Sequence, residues 1–331
     1  MSAPDPTATL RLWLPVELTV RLSAPPAVPG AAKAPPEAPE ARRSARDYDD
    51  REGYDEDFLG VPVPLPTLTR KGLRRVSRRT DGEPAEGDHV LRYHHYTVVM
   101  NRVRRFCFFT AANTTRDPRL AGTIDRKELG ASWRFDPRIA REHQVGHEEF
   151  YLPAIHDKGH IHRREDGYWG SSEAEREAGN DDSFHFTNAA PQHPRFNQST
   201  QDGVWGLLEN HIAEQVASQR FALFAGPVFR SDDPEVEGIL VPQSFWKIVI
   251  ARKGSDLGAW AFHLSQEDLP SEAGRERFDP GEFVHHQVSV AAVERMTDVR
   301  FDAAVRDADA LRLSPDERIA LRDATSVRRL R

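Results

Sequence analysis

The sequence predicts a mixed α+β body. Strand-like runs dominate it, helical periodicity is confined to a few stretches, and Asp88 to Ala112 reads as a hairpin. The amino-terminal segment, residues 1–23, alternates Leu10, Leu12, Leu14 and then Val16, Leu18, Val20, Leu22 against polar neighbours. That pattern predicts a strand with one buried face, which must find a sheet edge on its own domain, a second copy or another protein. Residues 24–46 are dense in Pro, Ala and Glu and read as an extended linker. The body spans 47–300. Its hairpin runs from Leu91 to Met100, turns at Asn101-Arg102 and returns through Phe106 to Ala111. Further strands are expected at Ser183 to Thr187, Phe221 to Phe229, Ile239 to Ile250 and Gly258 to Leu264, with helices at Val204 to Gln219 and Val288 to Met296. Residues 301–331 form a helical extension whose helix begins at Ser314-Pro315-Asp316-Glu317, a capping serine followed by a first-turn proline and acids.

Of the 331 residues, 38% are hydrophobic and 29% charged, ordinary values for a globular chain with some low-complexity sequence attached. No window is apolar for long enough to span a bilayer, and the start carries no basic, apolar export signal, which places the protein in the cytoplasm as an expectation. The single cysteine, Cys107, excludes an internal disulfide and a cysteine-based zinc cage, and its Phe-rich setting marks a buried strand. A net charge of −7 does not advertise a nucleic-acid binder, but cations cluster locally. Arg70, Lys71, Arg74, Arg75, Arg78 and Arg79 lie close together and read as a solvated, partly disordered loop, and Arg163-Arg164 follow His162.

Two segments hold an unusual density of polar residues within strand-like sequence. One is Asp157-Lys158-Gly159-His160-Ile161-His162-Arg163-Arg164; the other runs from Phe184 to Gln198 and leads to Trp205-Gly206-Leu207-Leu208-Glu209. Phosphodiester cleavage needs a base for the attacking water, a cation for the developing charge and cationic side chains for the phosphate. A histidine neutral near pH 7 suits the first role, and an amide oxygen can anchor Mg²⁺, which keeps most of its waters. His160, Asn197 and Lys158, Arg163 or Arg164 could fill the three.

These segments resemble the DNA/RNA non-specific endonucleases, the ββα-metal family that includes secreted bacterial sugar-non-specific nucleases and mitochondrial endonuclease G. Asp157-Lys158-Gly159-His160 answers the family's Asp-Arg-Gly-His, and Thr187-Asn188 through Pro191-Gln192 to Asn197-Gln198 answers its second motif, closed by Trp205 to Glu209. Looser similarity reaches Trp133 to Arg138, Phe224 to Phe229 and Phe245-Trp246-Lys247, so the likeness covers roughly Asp47 to Ala292. The resemblance implies a ββα-metal fold, with a central and mostly antiparallel sheet flanked by helices, and with His160 as general base and Asn197 as ligand of Mg²⁺, Mn²⁺ being able to substitute. It implies that Asn188 orients the base or the phosphate and that Glu209 holds a metal-bound water. It places His160 at the end of one strand, Asn188 at the end of the next and Asn197 at the start of a helix packed across both. The substrate would be DNA, RNA or both, cut to leave 5′-phosphate ends.

Three departures stand out. Lys158 replaces the family's arginine, keeping the charge for the substrate phosphate but losing the bidentate fork, so either catalysis is weaker or Arg163 and Arg164 supply the grip, with Arg134 as a further phosphate contact. The arginine expected just before Trp133 is missing, with Arg126, Lys127 or Arg134 as substitutes. The stretch from Asn197 to Trp205 is longer than usual. His162 makes a His-x-His pair with His160, but the cations of Arg163-Arg164 beside it argue against zinc. A second reading is a catalytically weakened nucleic-acid-binding module of the same fold. A homodimer, or a regulatory protein contacted through residues 9–22 that restrains a toxic or antiviral nuclease, completes the expectations. No membrane partner is expected.

Overall fold

The computed structural model describes residues 44–83, 85, 87–124, 132–152, 155–216, 219–267, 285–311 and 319–321. Residues 9–22, the linker through 43, Arg126, Lys127 and the helix start at 314–317 lie outside them. In chain order the strands are β1 (Thr67–Leu68), β2 (Val90–Arg92), β3 (Tyr96–Met100), β4 (Cys107–Thr115), β5 (Asp157–His160), β6 (Ala189–Gln192), β7 (Arg220–Val228), β8 (Glu235–Val236), β9 (Ile239–Leu240), β10 (Ser244–Lys253), β11 (Asp256–Ser265), β12 (His285–Val288), β13 (Val299–Arg300) and β14 (Ile319–Leu321). The helices are α1 (Arg70–Leu73), α2 (Arg164–Gly167), α3 (Glu173–Asp182), α4 (Pro194–Asn197), α5 (Val204–Val216), α6 (Val290–Met296) and α7 (Ala303–Asp307).

An eight-stranded sheet in the order β14-β12-β11-β10-β7-β4-β3-β2 forms the centre. Every neighbouring pair in it is antiparallel. Both of its faces are covered, so its middle strands are apolar without alternation, as burial on two sides requires. Along β10, Phe245 and Val249 join one core with Phe196, Trp205 and Phe221, while Trp246, Ile248 and Ile250 join the other with Phe108, Phe224 and Phe301. Lys247 points into the first core and is itself buried. That first face carries β5, β6, α4 and α5. The second carries the β1–β13 ribbon, α1, α6 and α7. No described helix is long and apolar enough to cross a membrane.

Several elements differ from expectation. The run Leu91 to Met100 breaks into β2 and β3 because His95 adopts a left-handed φ of 69°, a conformation that turns the chain. Ile239 to Ile250 likewise divides into β9 and β10. Ser183 to Thr187 is no strand: a turn, an isolated bridge between Arg134 and His185 and a 3₁₀ segment, Phe186–Asn188, replace it. Its side chains bury in place, His185 accepting or donating to the Tyr48 hydroxyl at 2.6 Å. Val288 ends β12, and α6 starts only after the Ser289 hydroxyl accepts from Ala292 N. Arg70 to Arg75 form a short helix and turn instead of a loop. Packing continues past residue 300, since Phe301 and Val305 bury in the second core. Ile319–Leu321, expected to be helical, pairs with β12 as a strand.

His162 and His185 are buried and His95 is half-buried. Desolvation pushes His95 and His185 down to about 4 and His162 well below the ordinary imidazole range. They are neutral when folded, whereas the unfolded chain takes up protons near pH 6.5. Their stability is therefore complete above about pH 6.5 and is lost as pH falls toward 4, by up to about 1.4 kcal/mol per pH unit for each histidine. Denaturant midpoints should drop steadily between about pH 7 and pH 5; a midpoint constant over that range rejects the account.

Candidate active site

The ribbon β5–β6 holds the first motif. Its register, Asp157↔Gln192 through His160↔Ala189, brings the two sequence segments side by side. Gly159 is required where it stands: a Cβ there would lie 2.1 Å from Oε1 of Gln192, whose side chain is fully buried and cannot retreat. His160 closes β5, with its ring 4.7 Å from Trp133 and 5.1 Å from Phe184, centroid to centroid. Directly beyond it, Asn188 clamps the chain. Its Oδ1 accepts from His162 N at 2.8 Å, and its Nδ2 donates to the carbonyls of His162 and Ser183, both at 2.9 Å. Its own carbonyl accepts from Ile161 N at 3.0 Å. Asn188 is fully buried and all these bonds are to backbone, so it fixes the chain beyond His160 and does not reach the cleft. It precedes β6 instead of ending it.

Asn197 is the last residue of the four-residue α4, not the first of a longer helix. That turn starts where His193 Nδ1 accepts from Arg195 N, with Pro194 at the first position. Asn197 Nδ2 donates to Asp157 Oδ2 at 2.9 Å, and Gln198 Nε2 donates to the same oxygen at 2.7 Å. With its nitrogen committed, the amide of Asn197 has its carbonyl Oδ1 as the atom that could hold a cation. Gly206 lets α5 approach this turn, since a Cβ there would lie 2.6 Å from the Asn197 carbonyl oxygen. Glu209 follows three residues later, on the adjoining turn of the same helix face.

Glu209 receives a 2.7 Å ion pair from Lys247 Nζ, and Arg163 Nε stands 3.9 Å from its other oxygen. Burial holds the Glu209 carboxyl above its ordinary value, against the pull of Lys247 and Arg163. Lys247 also sits 4.3 Å from the Trp205 ring centre.

His160, Arg163, Arg164, Asn197 and Glu209 line one cleft of about 340 Å³, together with Glu165 and Phe184 among others. Arg163 is steadied by Glu165 at 3.0 Å and Asn210 at 2.9 Å, and Arg164 by Asn180 at 2.5 Å. Three expected residues are not part of its lining. Lys158 Nζ faces His147 Nδ1 at 3.3 Å and the Trp133 ring at 5.7 Å. Arg134 gives both terminal nitrogens to Asp181, at 2.6 and 2.5 Å, so it answers a carboxylate where a phosphate was expected. Asn188 lies beneath. His162 stacks on Tyr96 at 4.4 Å inside the core, so the His-x-His pair does not converge. Asp157 and Lys247 were not singled out by sequence reasoning, although Asp157 opens the first motif and Lys247 ends a quoted similarity.

Among the described residues no three His, Cys, Asp or Glu side chains gather into a metal cage. The donors present are one amide oxygen and one carboxylate already ion-paired. They fit a hard cation that retains most of its waters, and not a soft ion that demands nitrogen or sulfur ligands.

The sequence model of the DNA/RNA non-specific endonuclease family matches residues 78–308. The chain is 35% identical over 314 residues to "Uncharacterized protein y4fB" of Sinorhizobium fredii (strain NBRC 101917 / NGR234), a match that takes in 86% of this chain and 45% of that protein. The chain thus spans about half the length of this curated relative. A solved structure, "Crystal structure of the EndoG/EndoGI complex: Mechanism of EndoG inhibition", is similar at 18% identity and a TM-score of 0.48, over 68% of this chain and 94% of that one, too slight a likeness to carry an argument. The family match covers more than half of the chain and is decisive: the chain belongs to the DNA/RNA non-specific endonuclease family.

Proposed function

We propose that this chain hydrolyses phosphodiester bonds in DNA, RNA or both, with His160 as general base and with Mg²⁺, which Mn²⁺ can replace, held through the Oδ1 of Asn197. The observation that carries the reading is the convergence of His160, Asn197 and Glu209 with two arginines on one cleft. His160 takes the proton of the attacking water, its ring placed by Trp133 and Phe184 and its strand end by Asn188. Arg163 and Arg164 meet the phosphate, each already braced by neighbouring side chains. Asp157 fixes the amide of Asn197, and Lys247 with Arg163 keeps the buried Glu209 within reach of its ionised form. When bound, the cation supplies charge stabilisation at the phosphate. Recognition through phosphate and not base edges leaves little sequence preference, and the products carry 5′-phosphate ends. The alternative of a weakened binding module rested on Lys158, and Lys158 contacts His147 and Trp133 and is not a lining residue of the cleft.

Supercoiled plasmid and a structured RNA, each incubated with the pure protein and Mg²⁺, should be degraded to fragments with 5′-phosphate ends. EDTA should stop both reactions. Intact substrates across a range of metals and salt concentrations would overturn the proposal.

A further inference from the structure

On the second face of the sheet, away from the cleft, a cavity of about 270 Å³ is lined by Lys71, Arg75, Arg295 and Arg300. Four cations there face one lining carboxylate, Asp298, which already accepts from the Thr69 hydroxyl at 2.8 Å and stands 3.8 Å from Lys71. Apolar groups, Phe108 and Phe229, form part of its wall.

This concentration is unusual in a protein of net charge −7. Elsewhere the arginines are mostly answered by acids: Arg104 by Asp233, Arg116 by Asp166, Arg138 by Asp136 and Arg230 by Glu267. Arg70, Arg74 and Arg75 are exposed, and their side chains make no ion pair or hydrogen bond among the described residues. Arg300, by contrast, is held rigidly, with NH1 donating to the carbonyls of Glu294 and Val299, both at 2.6 Å. A preset guanidinium beside Arg75, in a lining whose cations outnumber its single carboxylate, is the arrangement expected where an external polyanion supplies the counter-charge.

A line of contacts runs from β5, the strand that His160 ends, around the end of the sheet to this pocket. Lys158 touches His147, and Glu149 of the same short helical segment receives Arg105 at 2.8 Å. Arg105 belongs to the β3–β4 turn, where Arg102 donates its backbone N–H to Arg75 at 2.8 Å and its guanidinium to the Arg74 carbonyl at 3.3 Å.

We propose that the Lys71–Arg75–Arg295–Arg300 pocket is a second contact site for the sugar-phosphate backbone of the nucleic acid being cut, engaging strands long enough to pass from the cleft around the sheet's end. This rests on the nuclease reading above. It makes the enzyme a reader of length: long polymers are held at two places, short fragments at one, so products leave more readily than substrate.

The test uses the full chain in EDTA, with fluorescence anisotropy of end-labelled DNA of about 30 and about 6 nucleotides. The double variant Lys71→Gln/Arg75→Gln, and its charge-reversed form Lys71→Glu/Arg75→Glu, should bind the long probe about tenfold or more weakly and flatten its log–log salt slope by about two. Affinity for the short probe should match wild type, and melting temperatures confirm folding. Unchanged long-probe affinity, an equal loss on both probes, or no binding of either by wild type overturns the second site. Cleavage of the short probe by wild type with Mg²⁺ tests the nuclease reading separately, so the two cannot fail indistinguishably.

Discussion

Replacing His160 by alanine should lower kcat for plasmid cleavage by about 10²- to 10⁴-fold, the range that a positioned general base contributes. The imidazole packs against both Trp133 and Phe184 at the end of β5 and opens on the same cleft as Asn197. Its removal leaves Arg163, Arg164 and the cation ligand in place, so KM and metal affinity should change little. The Asn188 clamp holds backbone beyond His160 and does not involve the imidazole, so the ribbon keeps its register and the melting temperature should stay near wild type. A kcat within about threefold of wild type would be incompatible with His160 as the base.

The second large effect concerns stability. Lys247→Met removes the partner of a carboxylate that is itself buried, leaving Arg163 at 3.9 Å as the remaining cation beside Glu209. Breaking one side of a buried ion pair typically costs about 3–5 kcal/mol, because the surviving charge stays desolvated and unanswered. Denaturant unfolding should show a loss of that order in Lys247→Met. Adding Glu209→Gln should recover a good part of it, since the uncompensated charge disappears, while cleavage remains depressed. The double-mutant cycle reads the coupling directly. Strictly additive losses would mean that Lys247 acts through its packing on Trp205 and not through Glu209.

The large sheet was readable because burial on both faces leaves long apolar runs, as in Phe106 to Ala111 and Phe221 to Val228, and the helix bearing Glu209 announced itself by periodicity. The site was readable through two motifs whose polar residues interrupt those runs, and His160, Asn197 and Glu209 do line one cleft. What escaped has physical reasons. The turn at His95 needs a left-handed residue, and the segment Tyr93-His94-His95 contains no Gly, Asn or Pro to signal it. Phe184, His185 and Phe186 alternate like a strand, yet both phenylalanines pack on Trp133 beside the base, in a turn that side-chain contacts hold in place of a ladder. Arg134 looks like a phosphate ligand until Asp181, distant in sequence, is found opposite it. Lys247 sits in a β-run where any charged residue reads as solvent-facing; only the second layer, α5 with Trp205 and Glu209, turns its position inward.

The ribbon β5–β6 is not stitched into the eight-stranded sheet; it is a separate two-stranded piece. Its four cross-strand pairings and the Asn188 clasp are what keep the His160 imidazole at its post. Small outriggers of this kind open through local fluctuations well before a main scaffold melts. The cleavage proposed for this chain and its global integrity are thus separable: warming that opens the ribbon should silence cleavage reversibly while the bulk of the protein stays whole.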